Sequence, residues 1–249
     1  MRYAYFLCAS TAFFLCTQSI ASTLEANVSQ PSWSWVGSLS LGPVWENAGR
    51  TQTLDLTPYI TKTYAAATAV NPLIDGEAFA GIQTTLNETF TGQLGIAWVI
   101  ANHAKLSGHI WDDANPNFNN YTYKYAIQHN HIAVKGKLLF EEKLDVIPWI
   151  SGSLGIGFND AYAFQNTPFI SEAVTMPNFT PHTQTSFVYT LGFGAQKVLN
   201  QHFQIGAGYE FSDWGQSQLG RAAGQTLGSG LSLNHLYTNG VLFNLTYLS

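Results

Sequence analysis

The chain has 249 residues, with 15 Asp and Glu against 10 Lys and Arg for a net charge of −5. That balance offers no basic face for nucleic acid. Only 10% of residues are charged while 14% are aromatic, against about 25% charged in an ordinary soluble protein. Beyond the N-terminal segment no apolar run reaches the ~20 residues that a membrane helix requires.

Residues 1–21 have the layout of a cleavable secretory signal. Arg2 supplies the positive start, Tyr3–Thr17 the apolar run, and Ser19-Ile20-Ala21 the small residues that a signal peptidase needs. Cleavage after Ala21 leaves residues 22–249 as a single domain. Cys8 and Cys16 both depart with the signal, so the exported protein has no disulfide or thiol chemistry.

Past the signal, apolar residues alternate with polar ones, which is the period of a strand with one oily face. In Trp33–Trp45 the oily face carries Trp33, Trp35, Leu39 and Leu41, opposite Ser38 and Ser40. Glu77–Leu86 sets Ala78, Ala80 and Ile82 against Glu77 and Gln83, and Thr91–Asn102 sets Leu94, Ile96, Trp98 and Ile100 against Gln93. The long segment Tyr121–Phe140 has Ile132, Val134, Leu138 and Phe140 on one face and His129, His131, Lys135 and Lys137 on the other. Val146–Ala161, Thr185–Lys197, Phe203–Asp213 and Leu233–Leu248 repeat the pattern, the last with Val241, Phe243, Leu245 and Tyr247. The connections alternate as well. Asn87–Phe90, Glu141–Asp145 and Val198–His202 are short; Glu46–Gly76, His103–Asn120, Tyr162–Gln184 and Trp214–Ser232 are long. An all-β fold follows: a transmembrane, up-and-down antiparallel β-barrel of eight strands, with short turns on one rim and long loops on the other. Thr51–Tyr64 is expected to extend the first outer hairpin above the membrane. A soluble β-sandwich is the competing architecture, but it has no reason to alternate its loop lengths.

Eight strands enclose a space that side chains nearly fill. Glu77, His129, His131, Lys135, Lys137 and Glu210 all have inward parity, and opposite charges sharing that space should pair. A lumen in which Lys135 and Lys137 meet Glu77 and Glu210 leaves little room for a wide pore.

The signal, the eight spans, the rim pattern and the ending resemble the small outer-membrane β-barrels of Gram-negative bacteria. That group includes the barrel of outer membrane protein A and the opacity-like surface antigens. The likeness runs from about Trp33 to Leu248. Within it, Thr238-Asn239-Gly240-Val241-Leu242-Phe243-Asn244-Leu245 fits the family's C-terminal assembly signal, which assigns that role to Gly240, Phe243, Leu245 and Tyr247. The segments "HIWDDANPNFNNYTY", "YEFSDWGQSQLGRA" and "LNHLYTNG" are similar to an uncharacterised set of such barrels. Family members usually finish on Phe or Trp, whereas this chain ends Tyr247-Leu248-Ser249. The resemblance implies a bacterial outer-membrane location, insertion by the barrel-assembly machinery, and contact with outer-membrane lipid and lipopolysaccharide.

Candidate chemistry is sparse. His129 and His131 share one face and could ligate a transition metal if a third ligand approached, but hydrogen bonding within the lumen, or contact with Glu210 or Glu77, accounts for them without one. His109, Asp112 and Asp113 in "GHIWDD", and Asp213 at a strand end, could activate water as outer-membrane proteases do, yet the paired acidic motifs of those larger enzymes are absent. His235 lies near Ser232 without the His-any-Ser order of lipid-modifying barrels. No catalytic residue, metal or cofactor is therefore expected. The expectation is a monomer, not an enzyme, whose role is structural or surface interaction through four extracellular loops that meet a surface ligand. The alternative is a narrow diffusion channel for small or hydrophobic solutes, like outer membrane protein W; an outer-membrane enzyme is the third reading, distinguished by a His with a nucleophile or carboxylate in hydrogen-bond reach.

Overall fold

The computed structural model describes residues 33–67, 72–141, 145–169 and 176–249; the expected signal, 1–21, lies outside the described residues. The strands in chain order are β1 (Trp33–Asn47), β2 (Gln52–Thr57), β3 (Ile60–Ala66), β4 (Pro72–Thr85), β5 (Phe90–Ala101), β6 (Ala104–Asp112), β7 (Asn119–Phe140), β8 (Ile147–Pro168), β9 (His182–Val198), β10 (Phe203–Asp213), the two-residue β11 (Ser217–Gln218) and β12 (Ser232–Leu233), and β13 (Tyr237–Leu248).

Eight of them close a ring, in the order β1-β4-β5-β7-β8-β9-β10-β13, with β13 returning to β1 and every neighbour antiparallel. Closure satisfies the backbone groups of all eight strands internally, which a segment inside lipid requires. Two tight turns are built alike. In Leu86-Asn87-Glu88-Thr89-Phe90 the Asn87 side chain accepts from the backbone N–H of Thr89 (2.9 Å) and Phe90 (2.8 Å). In Leu199-Asn200-Gln201-His202-Phe203, Asn200 accepts likewise from His202 (2.9 Å) and Phe203 (2.8 Å). Each Asn replaces part of the ladder that the reversing chain gives up.

The opposite rim differs from a set of loops. β2 and β3 form the hairpin expected over 51–64. Much of the second connection, expected as a loop over 103–120, is strand β6, which takes over from β5 beside the upper half of β7 and pairs on its other side with β3. β7 and β8 each run 22 residues. At ~3.3 Å per residue and a tilt near 40° they rise roughly 55 Å along the barrel axis, about twice the ~25 Å apolar band of an outer-membrane barrel. The upper half of β7 and β8 therefore stands outside the membrane.

The side chains mark where that happens. Low on β7 the outward residues Ile132 and Val134 are exposed and apolar, and the inward ones are His131 and Lys135; higher up, Thr122, Lys124 and Gln128 face out and Tyr121, Tyr123, Tyr125 and Ile127 are buried. Parity never changes, but the oily side switches from outside to inside. The lower half is solvated by lipid and the upper half by water. Above the membrane the wall encloses an apolar core in which Tyr64, Tyr123, Phe164 and Phe179 pack ring against ring. The segment 214–236 folds down onto that core through Trp214, Leu219, Leu231, Leu233 and Leu236. Burial pushes the Tyr64 and Tyr123 phenols up, Tyr123 to about 12, so both stay neutral at physiological pH.

Candidate functional sites in the lumen and at the outer rim

All six inward residues named from the sequence lie inside the ring. Lys135 Nζ sits between two carboxylates, 2.6 Å from Glu77 Oε2 and 3.0 Å from Glu210 Oε2. The three come from β7, β4 and β10, so the cluster ties distant parts of the wall across the lumen. Lys137 does not join it. Its Nζ donates to Gln196 Oε1 at 2.6 Å and lies 4.5 Å above the Trp149 ring, while Gln196 in turn donates to Gln204. Beneath Lys135 a cavity of about 40 Å³ is lined by Ser38, Ser40, Phe79, Gln93 and Asn244. It has space for a few waters.

His129 and His131 form a hydrogen-bonded chain. Asn159 Nδ2 donates to the carbonyls of Trp214 and Gln216, which turns its Oδ1 toward His129 Nδ1 at 2.6 Å. His129 Nδ1 must then donate, its Nε2 accepts from His131 Nδ1 at 2.8 Å, and His131 Nε2 is left buried without a partner. The His129 ring stacks on Trp214 at 4.3 Å and 4°. The pair thus anchors the start of the 214–236 segment in the barrel mouth. Asp75 joins the inward acids, buried with one carboxylate oxygen unpartnered. Its parity matches that of Glu77, but the strand begins earlier than the sequence pattern indicates.

The loop candidates separate. His109 stacks on Phe169 at 5.6 Å. Asp112 pairs with Lys62 and accepts from Asn120 at 2.7 Å, a cross-strand clamp. Asp213 finds a partner that the sequence analysis did not give it: His235, whose Nδ1 is 2.7 Å from Asp213 Oδ2. The second oxygen, Oδ1, accepts from the Gly215 backbone N–H at 2.9 Å. Asp213 is buried and the His235 side chain is 55% exposed, with its ring flat against Tyr237 at 5.1 Å and 3°. The available signal was positional. The two residues flank one long connection at the facing ends of β10 and β13, where Asp213 pairs with Tyr237.

At the closing seam, Phe243 lies opposite Leu41 and Leu245 opposite Leu39 on β1. Phe243, Leu245 and Tyr247 point outward and are exposed. Gly240 meets β1 so closely that a Cβ there would collide with the Val44 side chain and the Pro43 carbonyl.

A closed eight-strand ring with an apolar outer band and a polar, charge-paired interior defines a small transmembrane β-barrel of bacterial outer-membrane type. The sequence matches no known protein family and no curated protein. Among solved structures the chain is similar to Neisserial surface protein A, at 8% identity over 86% of this chain and 96% of that one with a TM-score of 0.40. It is similar also to the outer membrane protease OmpT from Escherichia coli, at 8% identity over 89% and 99% with a TM-score of 0.49. A third is Ail, the attachment invasion locus protein of Yersinia pestis, at 12% identity over 86% and 98% with a TM-score of 0.31. At these identities the likeness concerns the fold alone. The protein is an integral β-barrel of the bacterial outer membrane.

Proposed function

We propose that the protein is a non-conducting, monomeric barrel that serves as a rigid platform at the cell surface, its upper half presented for interaction. The observation that carries this reading is the double closure of the lumen: Lys135 is held between Glu77 and Glu210, and above it an apolar core with Trp214 seals the mouth. The surface role is supported by apolar side chains left exposed on the upper half, among them Tyr59 at the β2–β3 tip, 94% exposed, and Phe118 and Phe169. Lipid and lipopolysaccharide would contact the outer band, and the barrel-assembly machinery would take hold of β13. Planar-bilayer recording of the purified protein tests the reading: a closed platform gives no stable conductance steps. Reproducible steps would replace it with the narrow diffusion channel.

A further inference from the structure

We propose that Asp213 and His235 form a general-base site on the lipid-facing side of the outer rim, acting on the acyl ester of an outer-leaflet amphiphile. This goes beyond the platform role and does not depend on it.

The position of the pair is the first argument. Along β10, Glu210 and Ser212 point inward, so Asp213 has outward parity, and the His235 ring lies flat against that of Tyr237. The outward residues directly opposite Asp213 on the flanking strands are aromatic, Tyr189 on β9 and Tyr237 on β13. A carboxylate there costs free energy unless it is fully bonded, and this one is, to Gly215 and His235. The arrangement is therefore a built polar site at the top of the apolar band. The depression beside it is lined by Thr185, Phe187, Tyr189, Gln216 and Asn234.

The second argument is the state of the imidazole. Because the carboxylate accepts from Nδ1–H, the neutral ring carries its lone pair on Nε2, and the stack on Tyr237 holds the ring in place. A carboxylate that fixes the tautomer of a half-exposed histidine is the arrangement that general-base catalysis uses. A simple latch between strand ends has no need to present Nε2.

The third is access. β9 pairs with β10 only up to Tyr189–Asp213, whereas its pairing with β8 continues to His182–Ala161. Above that point the edge of β9 is met by the segment running from Gly215 into β11, where the Gln216 N–H donates to Ser186 Oγ at 2.9 Å, and the depression that holds Asp213 and His235 opens beside this seam. An amphiphile in the outer leaflet, with its chains against Phe187 and its polar part in that depression, reaches His235 without entering the lumen.

The chemistry balances as a hydrolysis. His235 Nε2 takes a proton from water as the water oxygen bonds to the acyl carbon. The tetrahedral oxyanion collapses with rupture of the ester C–O bond. The leaving alkoxide takes the proton back from Nε2, giving a fatty acid and an alcohol.

The test uses the full mature chain, refolded and incubated with mixed micelles of detergent and phosphatidylethanolamine, or with lipopolysaccharide, with released fatty acid read by mass spectrometry. The two arms separate the two sources of the ester. Release is expected from at least one. His235→Asn keeps an N–H donor for Asp213 but removes the base, and should lower release by about 100-fold or more. Asp213→Asn, which loses the tautomer control, should lower it by at least about tenfold, with the heat-dependent gel mobility of a folded barrel retained in both. A latch alone predicts unchanged release in His235→Asn. No release by the unaltered protein from either amphiphile, or equal release by His235→Asn, overturns the proposal.

Discussion

Two lysines two positions apart on one strand show how much the partner, and not the residue type, decides. Lys135 faces two carboxylates from opposite sides of the barrel, whereas Lys137 faces an amide and an indole. Removing Lys135 strands two buried anions beside one another and beside Asp75, and the loss of one partner in a buried ion pair costs about 3–5 kcal/mol. Removing Lys137 strands no anion. Lys135→Met is therefore expected to lower the unfolding midpoint in detergent far more than Lys137→Met, whose cost should stay near 1–2 kcal/mol from the lost amide and ring contacts. Equal shifts in the two variants would mean that lumen water, not the ion pair, carries Lys135. The sequence shows both lysines inward. It does not show which carboxylates face which lysine, because that depends on the stagger of strands far apart in the chain.

Among elements, β13 carries the most consequence for its length. In water a strand with Val241, Phe243, Leu245 and Tyr247 along one side and an unpaired edge invites aggregation. In the ring its edges are taken by β1 and β10, and its oily side meets lipid. The same outward residues carry the proposed assembly signal. Changing Phe243 and Tyr247 to Ala should lower the amount of folded protein in the outer membrane, read as loss of the heat-shifted band in membrane fractions. Insertion at unaltered levels would mean that β13 serves closure only. The turns tell a related story. "LNETF" and "LNQHF" are two copies of one Asn-anchored reversal, legible in the sequence once their shared pattern is seen.

For the whole molecule, the boundary between lipid and water is written into the side chains of single strands. On β7 the apolar parity changes sides near His129–Ile132, so the same strand is a membrane span below and a soluble-type wall above. A charge should therefore be tolerated by height, not by face alone. Leu154→Arg, in the middle of the outer band, is expected to cost about 2–4 kcal/mol. Gln128→Arg, outward on the neighbouring strand but above the band, should stay within about 0.5 kcal/mol. Denaturant titration of barrels folded into lipid vesicles measures both. Similar costs at the two sites would place the membrane surface higher on the wall.

The eight spans, their order and the closing seam were legible in the sequence because strand periodicity is local and a membrane barrel leaves almost no freedom in how consecutive strands pair. The inward residues from Glu77 to Glu210 followed from the same parity. Three things were decided only by the tertiary structure. One is that the upper loops are largely wall and core: β6 alternates Leu106 and Ile110 with Ser107 and His109, but only its pairing with β3 and β7 makes that alternation part of the wall. Another is the partner of each buried group, which depends on register summed around the ring. The last is the meeting of Asp213 with His235, where two residues separated by a long connection are brought within 2.7 Å by the antiparallel pairing of the strands that flank it. Periodicity reports which way a side chain points, and only the closed ring determines what it meets there.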